Sequence, residues 1–162
     1  MTKAPPIRLS PTDRILIIED NPDDSYLLVR ALADAGIDNP IDSCESIDLA
    51  IILLCQMAQD ERLPGVIFCD LKLPGKTGFD FLEWRNAQTR LLSLPVVITS
   101  GSALSSDVQR ATRLGAHAYF VKPLTTDDVK VILGDTDQEN ETAEVSAEQN
   151  TPRNEGVTPT IT

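Results

Sequence analysis

Four places in this chain carry side chains whose types could do chemistry together. They are Glu19 and Asp20 in EDNPDD, Asp70 in FCDLKLPGKTG, Thr99 in VVITSGS, and Lys122 ahead of Pro123. Carboxylates gathered at one point repel one another unless a cation sits between them, and hard oxygen donors with room for water suit Mg²⁺. A carboxylate is also a nucleophile toward phosphorus, giving an aspartyl phosphate. A lysine and a hydroxyl would then neutralise and hydrogen-bond the oxygens of a transferring phosphoryl group. Asp70 is the best nucleophile candidate, because it stands alone behind its apolar run. Asp23 and Asp24 read otherwise: behind Asn21 and Pro22 they fall in the first turn of a helix, where acids complement the dipole.

This chemistry needs a scaffold that brings the four places together. From Arg14 onward, short β-branched runs alternate with segments of helical period. The strand candidates are Ile15–Glu19, Ile41–Cys44, Val66–Cys69, Val96–Thr99 and Ala118–Val121. All but the second are nearly continuously apolar, as parallel strands covered on both faces must be; the second suits an edge. Asn21 caps a first helix that Gly36 stops, Ser46 opens a second, and Phe79, Leu82 and Trp84 sit on a third. Ser106 with Gln109 offers a capping box to a fourth that closes at Gly115, and Thr125 with Asp128 opens a short fifth that ends at Gly134. Five such repeats imply an α/β fold with an open parallel sheet and helices on both faces, whose ligands bind at the carboxyl ends of the strands. Glu19, Asp20, Asp70, Thr99 and Lys122 all stand at those ends.

Composition narrows the function classes. The chain has 162 residues, 41% of them hydrophobic and 4% aromatic, enough for one core built on Ile, Val, Leu and Ala. The net charge is −11, and residues 135–162 hold seven acids against one base. Without a basic cluster, nucleic acid and anionic lipid are excluded as partners. Cys44, Cys55 and Cys69 have no metal or redox spacing and read as small apolar residues of a reducing compartment. The N-terminus lacks an export core, and the run Leu49–Cys55 is far too short to span a bilayer, so a cytoplasmic protein without membrane insertion is expected. Residues 1–12, with Pro5, Pro6 and Pro11, are expected to be a flexible lead, residues 13–134 the folded domain, and residues 135–162 a disordered acidic tail.

Taken together, IIEDNPDD, FCDLKLPGKTG, VVITSGS and GAHAYFVKP resemble, in that order, the receiver domain of two-component response regulators, over roughly Asp13 to Leu133. The resemblance implies a flavodoxin-like doubly wound sheet of strand order 2-1-3-4-5. It implies that Asp70 accepts a phosphoryl group from a phosphohistidine of a sensor histidine kinase or phosphotransfer protein. Mg²⁺ would be held by Glu19, Asp20, Asp70 and the backbone carbonyl of Lys72, and Lys122 would pair with the phosphoryl oxygens. Thr99 and Tyr119 match the family's switch pair. Phosphorylation would then change the surface around the fourth helix, fifth strand and fifth helix, where a downstream protein target binds. A phosphorylation-dependent homodimer stays open.

With no helix-turn-helix pattern, basic helix or catalytic motif after the domain, the chain reads as a stand-alone receiver. EDNPDD is also similar to the single-domain regulators paired with bacterial phytochromes. Two other functions compete. A phosphatase of the haloacid dehalogenase type needs a second Asp two residues after the nucleophile, where Lys72 stands, so an enzyme acting on free substrates is not expected, and autodephosphorylation is the most the site would do. A receiver used as a phosphorylation-independent binding module would keep the same fold.

Overall fold

The computed structural model describes residues 4–134; the expected acidic tail at 135–162 lies outside the described residues. Five parallel strands, β1 (Ile15–Ile18), β2 (Ile41–Cys44), β3 (Val66–Asp70), β4 (Val96–Ser100) and β5 (Ala118–Val121), form one sheet in the order β2-β1-β3-β4-β5. The connections are α1 (Pro22–Asp34), α2 (Ile47–Gln59), α3 (Gly78–Asn86) and α4 (Ser105–Arg113), and α5 (Thr126–Leu133) follows the last strand. A 3₁₀ turn at Thr89–Leu91 leads into β4.

Alternation along the strands divides the apolar residues between two cores. Leu16, Ile18, Ile67, Cys69 and Ile98 face the core shared with α2 and α3. Ile15, Ile17, Val66, Phe68 and Val97 face the core shared with α1 and α5. Each of these strand side chains is at most 1% exposed, and burying one is worth roughly 1.5–3 kcal/mol. This two-sided burial is why β1, β3 and β4 read as unbroken apolar runs. The edge strand β2 is only half-buried.

Most helix starts follow the sequence. The Asn21 side chain accepts from the N–H groups of Asp23 and Asp24, the Ser46 hydroxyl from Leu49, and Thr125 and Asp128 form a reciprocal capping box. Thr77 and Asp80 form another at α3. The expected Ser106–Gln109 box is absent. Ser106 lies inside α4, whose N-cap is Leu104 with no side-chain cap. The helix begins one residue earlier, at Ser105, so Ser106 falls inside its first turn; Ser102 accepts from the Leu104 N–H at 3.3 Å and donates to the Asp107 carboxylate at 3.0 Å, bracing the loop ahead of the helix.

The lead also differs from the flexible segment expected over 1–12. Ile7 is 8% exposed within the α1–α5 core. Its N–H donates to the Ile132 carbonyl at 2.7 Å, and the His117 ring bonds the Pro5 carbonyl at 2.8 Å. An apolar side chain between prolines in an extended segment fits a sheet end as readily as it fits a loop. The three cysteines are free thiols. Burial raises the pKa of Cys69 and pushes that of Cys44 up to about 11, so neither is a nucleophile.

Arg85 of α3 is buried, and its guanidinium donates to the Leu92 carbonyl at 3.0 Å and to the Gly115 carbonyl at 2.8 Å, joining the connection before β4 to the turn after α4.

Gly78 opens α3 directly against the end of β3. A methyl group there would meet the Asp70 carbonyl oxygen at 2.8 Å and the Leu71 Cα at 3.1 Å, both backbone atoms. Gly78→Ala is therefore expected to destabilise the domain by about 1–3 kcal/mol, measured as a lower urea midpoint at unchanged m-value. Gly101→Ala, where the added carbon meets nothing within 4 Å, is the matched control and should change stability by less than about 0.5 kcal/mol.

Candidate functional site

The carboxyl ends of β1, β3, β4 and β5 converge where the strand order turns from β1 to β3, the position at which open α/β sheets bind ligands. Asp70 is the last residue of β3 and is 6% exposed. Its register partner on β4 is Thr99, itself buried. Glu19 and Asp20 follow β1 directly, and Lys122 follows β5 and is joined to Pro123 by a cis peptide bond. The sheet thus brings together five of the seven residues singled out. Lys72 lies two residues past Asp70 with an exposed side chain, and its N–H donates to Asp70 Oδ1 at 3.2 Å. Tyr119 stands on β5, half-buried against the α2–α3 core.

One ammonium organises the group. Lys122 Nζ lies 2.5 Å from Glu19 Oε2, 3.0 Å from Asp24 Oδ2 and 3.2 Å from Asp70 Oδ2, and its side chain is only 14% exposed. The other oxygen of Glu19 accepts from the Asn21 N–H at 3.0 Å. Glu19, Asp20 and Asp70 each offer a carboxylate oxygen, all within 4.8 Å of one another.

The electrostatics follow from this crowding. Burial, opposed by the bonds to Lys122 and Asn21 and reinforced by the charge of Asp70, raises the Glu19 carboxyl above its usual range. Burial would also pull the Lys122 pKa down, but its bonds to Glu19 and Asp24 and the charge of Asp70 outweigh that, and it is pushed up. The two directions disagree about the shared bond, since one favours a neutral acid and the other an ion pair. The ion pair prevails, because Lys122 answers to three carboxylates while Glu19 has one ammonium. Among the described residues, Glu19, Asp24 and Asp70 thus share the Lys122 ammonium, and Asp20 adds a fourth carboxylate within 4.8 Å of Glu19 and Asp70. The donor set is hard oxygen, partly open to solvent and short of positive charge, which fits a divalent ion such as Mg²⁺.

Asp24 is the member that sequence reasoning missed. Taken as a helix-start acid, it does lie in the first turn of α1, but it also reaches Lys122. The signal was in the periodicity: Asp24 precedes Leu28 by one turn and continues the buried face of Leu28, Ala31 and Leu32 to the sheet edge. Tyr119 donates its hydroxyl to the Ser102 carbonyl at 2.8 Å, and Ser100 Oγ accepts from the Ser102 N–H at 3.0 Å, so the loop between β4 and α4 is fastened from both strands that flank the site.

Comparison with known proteins gives one consistent result. The family model described as response regulator receiver domain matches residues 15–133. A probable methanogenesis regulatory protein, FilR2 of Methanothrix harundinacea, is 30% identical over 117 residues, covering 72% of this chain and 76% of its own length. The polar-differentiation response regulator DivK of Brucella ovis is 28% identical over 131 residues, covering 76% of this chain and 98% of its own. Among solved structures, the bacteriophytochrome response regulator RtBRR superposes with a TM-score of 0.66 at 27% identity, covering 89% of this chain and 99% of that one. The phosphorylated cyanobacterial phytochrome response regulator RcpA gives 0.64 at 26% identity, covering 73% and 86%. The family match begins on the first residue of β1 and ends on the last residue of α5, and so this chain belongs to the response regulator receiver domain family of two-component systems.

Proposed function

We propose that this protein is a stand-alone response regulator of the cytoplasm, phosphorylated on Asp70 by a histidine kinase or phosphotransfer protein. The observation that carries this reading is the buried Asp70 carboxylate, within reach of one ammonium and two further carboxylates at the strand ends. An Asp70 oxygen attacks the phosphorus of a donor phosphohistidine, the new P–O bond forms as the P–N bond breaks, and the electron pair leaves on the imidazole nitrogen. Lys122, already 3.2 Å from Asp70 Oδ2, turns from the carboxylates to the phosphoryl oxygens. The Lys72 N–H on Asp70 Oδ1 fixes the orientation of the nucleophile. Glu19, Asp20, Asp70 and the Lys72 carbonyl hold Mg²⁺, which supplies charge neutralisation for the transferring group.

Thr99 lies across from Asp70 in register and donates its hydroxyl to the phosphoryl group once it is present. Tyr119 then exchanges its bond to Ser102 for an inward position behind Thr99. The β4–α4 loop is released, and the surface of α4, β5 and α5 changes for a downstream target. The domain is residues 13–134, with Ile7 and Leu9 of the preceding segment packed onto its α1–α5 core. The match to single-domain regulators such as DivK supports the stand-alone reading.

Three experiments test this. First, intact-protein mass after incubation with acetyl phosphate and Mg²⁺ should show a single phosphoryl adduct, absent in Asp70→Asn and in the chelated control. No adduct, together with a flat beryllofluoride titration, would favour a phosphorylation-independent binding module. Second, Mg²⁺ should raise the thermal midpoint of the native chain, by about 2.7 kcal/mol of stabilisation at a hundredfold excess over Kd. Asp20→Asn removes one repelling charge, so that variant should be at least as stable as the native chain without Mg²⁺ and gain nothing when Mg²⁺ is added. Third, beryllofluoride should shift the amide resonances of residues 101–104 in the native chain, and Thr99→Ala should abolish those shifts while still binding the ion.

A further inference from the structure

Helix α2 is apolar on two faces. Ile47, Ala50, Leu54 and Met57 are buried against the sheet. Leu49, Ile52, Leu53 and Gln56 repeat at i, i+3, i+4 and i+7 on the outer side, where Leu49 is 46% and Ile52 66% exposed. With Ser43, Cys44 and Glu45 from the end of β2, that outer stripe lines an open trough of about 670 Å³. A helix that is apolar all round is ordinarily covered all round, and a contiguous exposed patch of this kind marks a contact surface. The trough also borders an edge strand, since among the described residues β2 pairs only with β1. Leu53 packs in part against the α2–α3 core, but neither core covers Leu49 and Ile52.

Charge selects the occupant. The charged residues lining the trough are Glu19 and Glu45, with no base among the lining residues. Asp48, beside them at the start of α2, is held in an ion pair by Lys76. Glu19 is turned to Lys122, which leaves the exposed Glu45 as the charge that an incoming segment meets. A second copy docking face to face would bring Glu45 against the acids of a chain whose net charge is −11. Residues 135–162, with seven acids and one base, are repelled for the same reason. The shape of the trough, an apolar floor between a helix and a strand edge, fits a helix laid into a groove.

We propose that the trough between α2 and β2 docks an amphipathic helix of another protein, with apolar side chains at i, i+3, i+4 and i+7 seated on Leu49, Ile52 and Leu53 and a lysine or arginine meeting Glu45. The surface is separate from the α4–β5–α5 face and does not depend on phosphorylation of Asp70.

The test uses the full chain and two synthetic amphipathic helical peptides with leucines at that spacing, one flanked by lysines and one by glutamates. The lysine peptide should shift the amide resonances of Leu49, Ile52, Leu53 and Gln56, and Ile52→Glu should weaken its binding at least about tenfold without lowering the thermal midpoint, as for an anchor at an interface. Glu45→Lys should reverse the preference in favour of the glutamate peptide. Equal binding of both peptides, binding indifferent to Ile52→Glu, or no binding would overturn the proposal. So would a concentration-dependent dimer of the native chain that Ile52→Glu dissolves, because a second copy would then be the occupant.

Discussion

The Lys122 ammonium is the point on which the site turns. It approaches the carboxylates of Glu19, Asp24 and Asp70 at the end of a parallel sheet, in surroundings where its side chain is largely shut off from water. Removing one partner from a buried ion pair is typically destabilising by about 3–5 kcal/mol, because the other charge is left without an answer. Here the imbalance is present from the start, with more acids than the one ammonium can neutralise. The unfavourable charge density is retained at the place where the proposed cation and phosphoryl group would be bound, a local departure from stability of the kind found at functional sites. The rest of the fold serves to hold it there. Two cores bury β1, β3 and β4 on both faces, so that these strands carry polar groups only at their ends, and the Asn21 cap sets the angle at which α1 delivers Asp24.

Most of this was legible in the sequence because the signals were local or periodic. Three continuous apolar runs, β1, β3 and β4, specified fully buried parallel strands, while the fourth, β5, lies at the sheet edge and is only partly covered, with Val121 exposed. The placement of Glu19, Asp20, Asp70, Thr99 and Lys122 behind the strands followed from topology alone. Asn21, Ser46 and Thr125 named their helix starts because capping depends on residues three or four apart. What escaped depended on contacts remote in sequence. Asp24 meets Lys122 across 98 positions, and Gly78 is constrained by the backbone at Asp70 and Leu71. The misplaced cap at Ser106 is a different kind of miss. The helix starts at Ser105 without a side-chain cap, so Ser106 lies in its first turn, and the Asp107 carboxylate turns to the Ser102 hydroxyl in the loop.

The relatives give these details a setting. Stand-alone regulators such as DivK, and structures such as RtBRR and RcpA, share the frame while the identities stay near 30% or below. At that distance a fold is kept by pattern rather than by particular residues: a strand tolerates Ile for Val as long as both faces stay covered. The charged strand ends are less forgiving, because there chemical type decides what the site can hold. The solvent faces of the helices are less constrained by the fold, and in this chain α2 is apolar in part on its outside while α4 is strongly polar.

Arg85 gives α4 an uneven mechanical character. At the carboxyl end of that helix, the Gly115 turn is bound through a buried guanidinium to the connection ahead of β4, and Asn86 holds the neighbouring Leu114 carbonyl at 2.9 Å. At the amino end, Leu104 contributes no side-chain cap. A rod pinned at one end and held at the other through Ser102 and Tyr119 would pivot, not translate, once those loop bonds exchange. Displacements in the loop at 101–104 would thereby become rotation about Gly115, with the first turn of α4, at Ser105, Ser106 and Asp107, farthest from the pivot.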